Sequence, residues 1–235
     1  MFIALRVSIQ VGRNPTELTI NSNNNLIYVA NTEDKTISVI NSKDNSIEET
    51  IEVDDYPTEL TLNSNNSLIY VARSGGHVIS VINSTDNSIV EPIPIDGSIG
   101  DLAINSDHSF LYVANSETNT ISVINSTDNS VIDTIKVGEF PVALAFDSTT
   151  NLLYVGNLED KTISVINSTD NTIIDTINIH IQPTKLAIDP TKSILYTLGD
   201  DQNILSLIDL ANSRKTYDIL FDIISAMTII NDKLY

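Results

Sequence analysis

The chain has 235 residues and a mass of 25.7 kDa, 41% of it apolar, with a mean hydropathy of +0.05; that is enough apolar surface for a packed core and is not the composition of a disordered chain. With 31 Asp and Glu against 12 Lys and Arg the net charge is −19, a field that repels phosphate backbones and anionic lipid heads and disfavours nucleic-acid and membrane-surface binding. The absence of cysteine removes disulfides, thiolate catalysis and Cys-ligated zinc or iron–sulfur centres, and leaves the compartment open.

At the start of the chain, residues 1–10 carry Arg6 inside their apolar run, with no basic leader region and no small-residue cleavage site, so they do not read as a signal peptide. No run of about 18 apolar residues follows anywhere, and membrane insertion is not expected. From there the sequence repeats itself. Tyr28, Tyr70, Tyr112, Tyr154 and Tyr196 recur every 42 residues in the frame Leu/Ile-Tyr-Val/Thr. The first unit reads Pro-Thr-Glu-Leu-Thr-Ile-Asn (15–21), Leu-Ile-Tyr-Val-Ala-Asn (26–31), Thr-Ile-Ser-Val-Ile-Asn (36–41) and Ser-Ile-Glu-Glu-Thr-Ile-Glu-Val (46–53). These are four β-type runs separated by Asn- and Ser-rich turns, and no segment holds a period of 3.6 over helical length. The muddled exception is Leu207 to Leu220, where the repeat register still favours strands.

The second and third runs carry apolar residues on both faces, so their sheets are expected to be covered on both sides. The fourth run is more polar, and in the second repeat it contains Pro92 and Pro94, which suits an outer edge because proline donates nothing to a ladder. The first run is then innermost, with Thr19, Thr61, Ala103, Ala145 and Ala187 small where blades converge and the Leu18 and Ile20 equivalents filling the gap between sheets. Together these features predict an all-β fold, a β-propeller of four-stranded antiparallel blades with a 42-residue repeat, spanning residues 1–235 as one domain.

The elements Tyr28-Val-Ala-Asn31, Tyr70-Val-Ala-Arg73, Tyr112-Val-Ala-Asn115 and Tyr154-Val-Gly-Asn157, with Pro15, Pro57, Pro141 and Pro183 opening four repeats, resemble the YVTN β-propeller repeat proteins over nearly the whole chain. Repeat three departs at Ile99 and repeat five at Tyr196-Thr-Leu-Gly199, so those blades are expected to be less regular. The resemblance implies a propeller, often seven-bladed, frequent in surface-layer and secreted proteins, and generally a binding or structural module. For closure, Leu5 to Val11 aligns with fourth runs, while Ser225 to Ile230 and Lys233 to Tyr235 resemble first and second runs. Five complete blades plus a partial sixth closed by the N-terminal strand is one arrangement; a fragment of a seven-bladed propeller is the other, and the stop inside a signature favours it.

Among candidate sites, Glu17, Glu59 and Asp101, one residue before the Leu18 equivalents, form a ring of carboxylates able to hold a hard cation such as Ca²⁺; a plainly solvated channel mouth is the simpler reading. Asn65, Asn83, Asn125 and Asn167 head N-x-Ser/Thr sequons, open to glycosylation if the protein is exported, although tight turns demand the same residue types. His77, His108 and His180 fall at unrelated phases, which argues against a zinc site. The first expectation for function is a non-catalytic module at the cell surface whose rim loops bind protein, glycan or cation. The alternative is a propeller enzyme of lactonase or quinoprotein-dehydrogenase type, for which Arg73 and Asp101 are the repeat-breaking candidates.

Overall fold

The computed structural model describes residues 8–73, 76–199, 204–212, 214–220, 229–230 and 233–234. Among these every regular element is a strand, and no helix is long and apolar enough to cross a membrane. Five four-stranded antiparallel sheets follow one another, each in simple sequence order. Blade one is β1 (Pro15–Asn21), β2 (Leu26–Asn31), β3 (Thr36–Asn41) and β4 (Ile47–Glu52); blade two is β5 (Pro57–Asn63), β6 (Leu68–Arg73), β7 (Val78–Asn83) and β8 (Ser88–Pro94). Blade three is β9 (Ile99–Asn105), β10 (Phe110–Asn115), β11 (Thr120–Asn125) and β12 (Ser130–Lys136); blade four is β13 (Pro141–Asp147), β14 (Leu152–Asn157), β15 (Thr162–Asn167) and β16 (Thr172–Asn178). Blade five is β17 (Pro183–Asp189), β18 (Ile194–Gly199), β19 (Ile204–Asp209) and β20 (Lys215–Leu220), after which β21 (Ile229–Ile230) pairs with β22 (Lys233–Leu234). These are the blades of a β-propeller, as the repeat predicts. Residues 8–11 carry no strand, and the rest of the expected closing strand lies outside the described residues.

Chain contacts group the molecule into two compact units, residues 1–93 and 94–235. In the first, the face of blade one bearing Tyr28, Ala30, Ile37, Val39 and Ile51 packs on Leu60, Ile69, Val71 and Ile82 of blade two. In the second, Tyr112, Ile121 and Ile135 of blade three meet Leu144, Leu153 and Ile166 of blade four, and Tyr154, Ile163 and Ile177 of blade four meet Leu195 and Ile208 of blade five. The second and third strands are largely buried, and within each unit successive blades cover one another's facing sides. The outer strands show the opposite: in β4, β8, β12 and β16 the isoleucine of each repeat, Ile51, Ile93, Ile135 or Ile177, is buried while most residues around it face solvent. Burying one such side chain contributes roughly 1.5–3 kcal/mol, enough to pin an otherwise polar edge. Leu60 and Leu144 fill the inter-blade gap as expected, but Leu18 and Ile20 are each 52% exposed, since within its unit blade one has no neighbour on that side.

Turn chemistry is equally regular. The residue before the second strand and the residue before the fourth strand sit at positive φ, filled mostly by Asn, as at Asn25, Asn45, Asn87, Asn129, Asn151 and Asn171. Asn tolerates this left-handed conformation better than most residues. Blade three keeps the common strand register although Ile99 replaces proline. Blade five is the irregular one. The β-bulge that β3–β4, β11–β12 and β15–β16 share is absent from β19–β20, where Asp209 pairs with Lys215 without a shift. The residue otherwise absorbed by the bulge lengthens the turn, and the left-handed slot before the fourth strand passes from asparagine to Arg214, with φ 55°.

Candidate functional site

Between successive blades, two polar pairs normally seal one end of the apolar core. The asparagine closing the first strand reaches a serine in the next blade: Asn21 Nδ2 donates to Ser84 Oγ at 2.8 Å, and Asn105 Nδ2 to Ser168 Oγ at 3.1 Å. The signature tyrosine reaches the left-handed asparagine of the next blade: Tyr28 Oη donates to Asn87 Oδ1 at 2.8 Å and Tyr112 Oη to Asn171 Oδ1 at 3.2 Å. At the junction of blades four and five both pairs are lost. Asp147 stands where the asparagine belongs, Leu210 where the serine belongs, and Arg214 occupies the left-handed slot. An arginine only donates hydrogen bonds, so it cannot accept from Tyr154.

The consequence is a cavity of about 260 Å³ whose walls include Leu152, Val165, Ile174, Ile177 and Leu210. Its polar lining is Asp147, Thr150, Tyr154, Asp175, Ser193 and Arg214. Tyr154 is 3% exposed, and its hydroxyl has no hydrogen-bond partner among the described residues. Burial, with the Asp147 charge in support and Arg214 opposing, pushes its phenol up to about 12, so it stays a neutral donor at ordinary pH. Asp147 is committed elsewhere. Burial raises its carboxyl, but the Thr149 and Thr150 hydroxyls, each at 2.7 Å, and the local amides outweigh that and hold it below the ordinary range. Arg214 pairs with Asp175, whose Oδ1 also accepts from the Thr176 amide at 2.8 Å.

The residues singled out from the sequence fare differently. Glu17 and Glu59 lie in the first unit and Asp101 in the second. Glu17 Oε1 accepts from the Leu18 amide at 3.0 Å. Asp101 accepts from the Leu102 amide at 2.7 Å and from the Leu144 amide at 2.8 Å, which ties the first strands of blades three and four together. Among the described residues there is no group of three or more His, Asp or Glu placed to hold a metal. Asn83, Asn125 and Asn167 are half-buried, each accepting from the amide two residues on at 2.9 Å in an Asx turn, whereas Asn65 is exposed. Arg73 is 8% exposed and its Nε donates to the Val78 carbonyl at 3.4 Å. Of the histidines, His180 pairs with Asp218 at 2.9 Å and His108 contacts Asn105. The sequence alone marks Tyr154 only as a repeat residue and does not single out Asp147 or Arg214. The signal was present in two repeat columns, Asn21, Asn63, Asn105, Asp147 and Ser84, Ser126, Ser168, Leu210.

Comparison with known proteins adds a family. The family described as "Lactonase, 7-bladed beta-propeller" matches residues 86–173, well under half of the chain; the segment contains Asp147, Tyr154 and Val165 of the cavity. No curated protein matches. Among solved structures, the chain is similar to hydrazine synthase of Kuenenia stuttgartiensis, with a TM-score of 0.77 at 13% identity over 94% of this chain and 70% of that one. It is also similar to a functionally unknown protein of Desulfotomaculum acetoxidans, with a TM-score of 0.75 at 16% identity over 90% of this chain and 70% of that one. These likenesses establish the fold. The lactonase match corrects the expectation of a non-catalytic module: the chain is a β-propeller whose resemblance runs to an enzyme family.

Proposed function

We propose that the protein is a lactonase-type hydrolase that opens a small cyclic ester in the cavity between blades four and five. The observation that carries this reading is the Tyr154 hydroxyl, without a hydrogen-bond partner among the described residues, on a cavity that Arg214 also lines. Where other junctions give the tyrosine hydroxyl an asparagine acceptor, this one leaves it without that partner, and an ester carbonyl supplies the missing acceptor. At about 260 Å³ the space holds on the order of eight water-sized groups, the bulk of a five- or six-membered ring ester. The aliphatic walls take the ring, and Tyr154 donates to the carbonyl oxygen as it gains charge. Asp175, oriented by Arg214, takes a proton from the attacking water. The water oxygen bonds to the acyl carbon, the ring C–O bond breaks, and the proton passes to the departing alkoxide to give a hydroxy acid.

The test is acid release in a pH-stat with unsubstituted and alkyl-substituted γ- and δ-lactones. Turnover is expected, with Tyr154→Phe lowering kcat by about a hundredfold or more, the usual loss for one such donor. No turnover above the uncatalysed rate, or a Tyr154→Phe variant of full activity, overturns the proposal.

A further inference from the structure

A second cavity, of about 500 Å³, opens in blade three and shares no residue with the first. Two exchanges between repeats set this blade apart. In blades one and four a glycine, Gly12 or Gly138, closes directly on the signature asparagine: a Cβ added there would come within 2.8 Å of Asn31 Cβ or 2.7 Å of Asn157 Cγ. A carboxylate in the following turn holds that loop down, Asp34 Oδ2 accepting from the Arg13 amide and Asp160 Oδ2 from the Glu139 amide, each at 2.7 Å. In blade three the glycine position is Asp96 and the turn carboxylate is Thr118. A side chain at 96 does not fit on the asparagine, and nothing at 118 draws the loop in. Thr118 Oγ1 instead meets Thr120 Oγ1 at 2.8 Å. Ser98 Oγ donates to Glu117 Oε1 at 2.6 Å, and the Ser98 carbonyl accepts from the Ser116 amide at 2.9 Å, as Asn14 does from Thr32 and Phe140 from Leu158 in blades one and four.

The cavity is lined by Asp96, Thr118, Thr120, Ser122 and Thr134, with Pro94, Ile95 and Val131 as its apolar part. Asn115 Nδ2 donates to Thr120 Oγ1 at 3.0 Å and to Ser122 Oγ at 2.9 Å. Each of these hydroxyls keeps a proton and a second lone pair, one proton of the Thr118–Thr120 pair being spent between them. The cavity therefore sets hydroxyls that can donate and accept beside an acceptor carboxylate, with no cationic side chain among the described residues of its lining. An anion would meet Asp96 and the −19 net charge with no countercharge, and a metal ion would find one carboxylate only. A neutral alcohol is donor and acceptor in one group, and a ring bearing several presents C–H edges to Ile95 and Val131. By volume the site takes a pyranose with room to spare.

We propose that blade three carries a binding site for a neutral saccharide or polyol, centred on Asp96 and the Thr118–Thr120–Ser122–Thr134 hydroxyls. The experiment is saturation-transfer NMR on the full chain with glucose, galactose, mannose and mannitol, and with inorganic phosphate and tetramethylammonium as charged probes. Saturable binding of at least one neutral polyol is expected, weakened tenfold or more by Asp96→Gly, which restores the residue of blades one and four. Thr134→Val, at an exposed position, is expected to weaken it similarly and carries the test should the loop variant fail to fold. Binding of neither polyol nor sugar, binding of a charged probe alone, or polyol binding unchanged in the folded variants overturns the proposal.

Discussion

Replacing tyrosine by phenylalanine at two equivalent positions separates a paired hydroxyl from an unpaired one. Tyr112→Phe removes a hydrogen bond of 3.2 Å to Asn171 Oδ1. Asn171 is half-buried, so its oxygen can turn to solvent, and the loss should stay near the ordinary net value of about 1 kcal/mol. Tyr154→Phe removes a hydroxyl that has no partner among the described residues and whose burial costs roughly 1–3 kcal/mol on protein mutational scales. Because that hydroxyl faces a cavity, only part of this cost is recovered, so the variant should be as stable as the parent or more stable by up to about 1 kcal/mol. The two variants should thus differ by about 1–2 kcal/mol. For a chain of this size each kcal/mol moves Tm by about 2–4 °C. Thermal unfolding followed by far-ultraviolet circular dichroism, with both variants measured beside the parent, reads this difference directly. If Tyr154→Phe lowers Tm as far as Tyr112→Phe does, the hydroxyl has a partner and the reasoning about the cavity is wrong.

Arg214→Asn should raise Tm by a few degrees, because asparagine tolerates φ 55° better than arginine and returns an acceptor to Tyr154; the same substitution should abolish ester turnover, measured in the same pH-stat. Gly138→Ala should cost about 1–3 kcal/mol by overpacking, since its Cβ would lie 2.7 Å from Asn157 Cγ and 2.6 Å from Asp160 Oδ2; an unchanged urea midpoint would show that the loop yields freely. The acid limb of stability should depend on Asp189, held at about 2 by Lys192 and then Thr191. Its folded pKa lies below the unfolded value near 3.8, so the unfolded chain binds the proton first; the contribution is present above about pH 5 and is lost as pH falls from 4 towards 2. Asp189→Asn should flatten the fall of Tm across that interval, and an unaltered profile would remove Asp189 from the account.

The parts of the structure readable from sequence are those fixed inside one repeat. Two-faced apolar runs give covered strands, prolines and charges mark the outer strand, and Asn at the left-handed turn positions follows from local backbone sterics. The two cavities are of another kind. Each goes with a set of coupled changes whose partners lie in different strands, turns or blades: Asp147 with Leu210 and Arg214 at one junction, Asp96 with Thr118 in the other blade. One residue of such a pair carries little meaning alone, since Asp147 still makes an ordinary Asx turn with Thr149 and Asp96 reads as one more surface carboxylate. The decisive event in blade five is finer still. The run from Leu207 to Leu220 looked irregular because β19 and β20 pair without the usual bulge, which moves the left-handed position one residue along and brings Arg214 into the slot. Repeat arithmetic alone assigns that slot to residue 213; a register change of one residue is invisible to it, yet decides which side chain faces Tyr154. In a protein built from copies, the framework is written in what the repeats share, and chemistry enters where two of them differ in a coupled way.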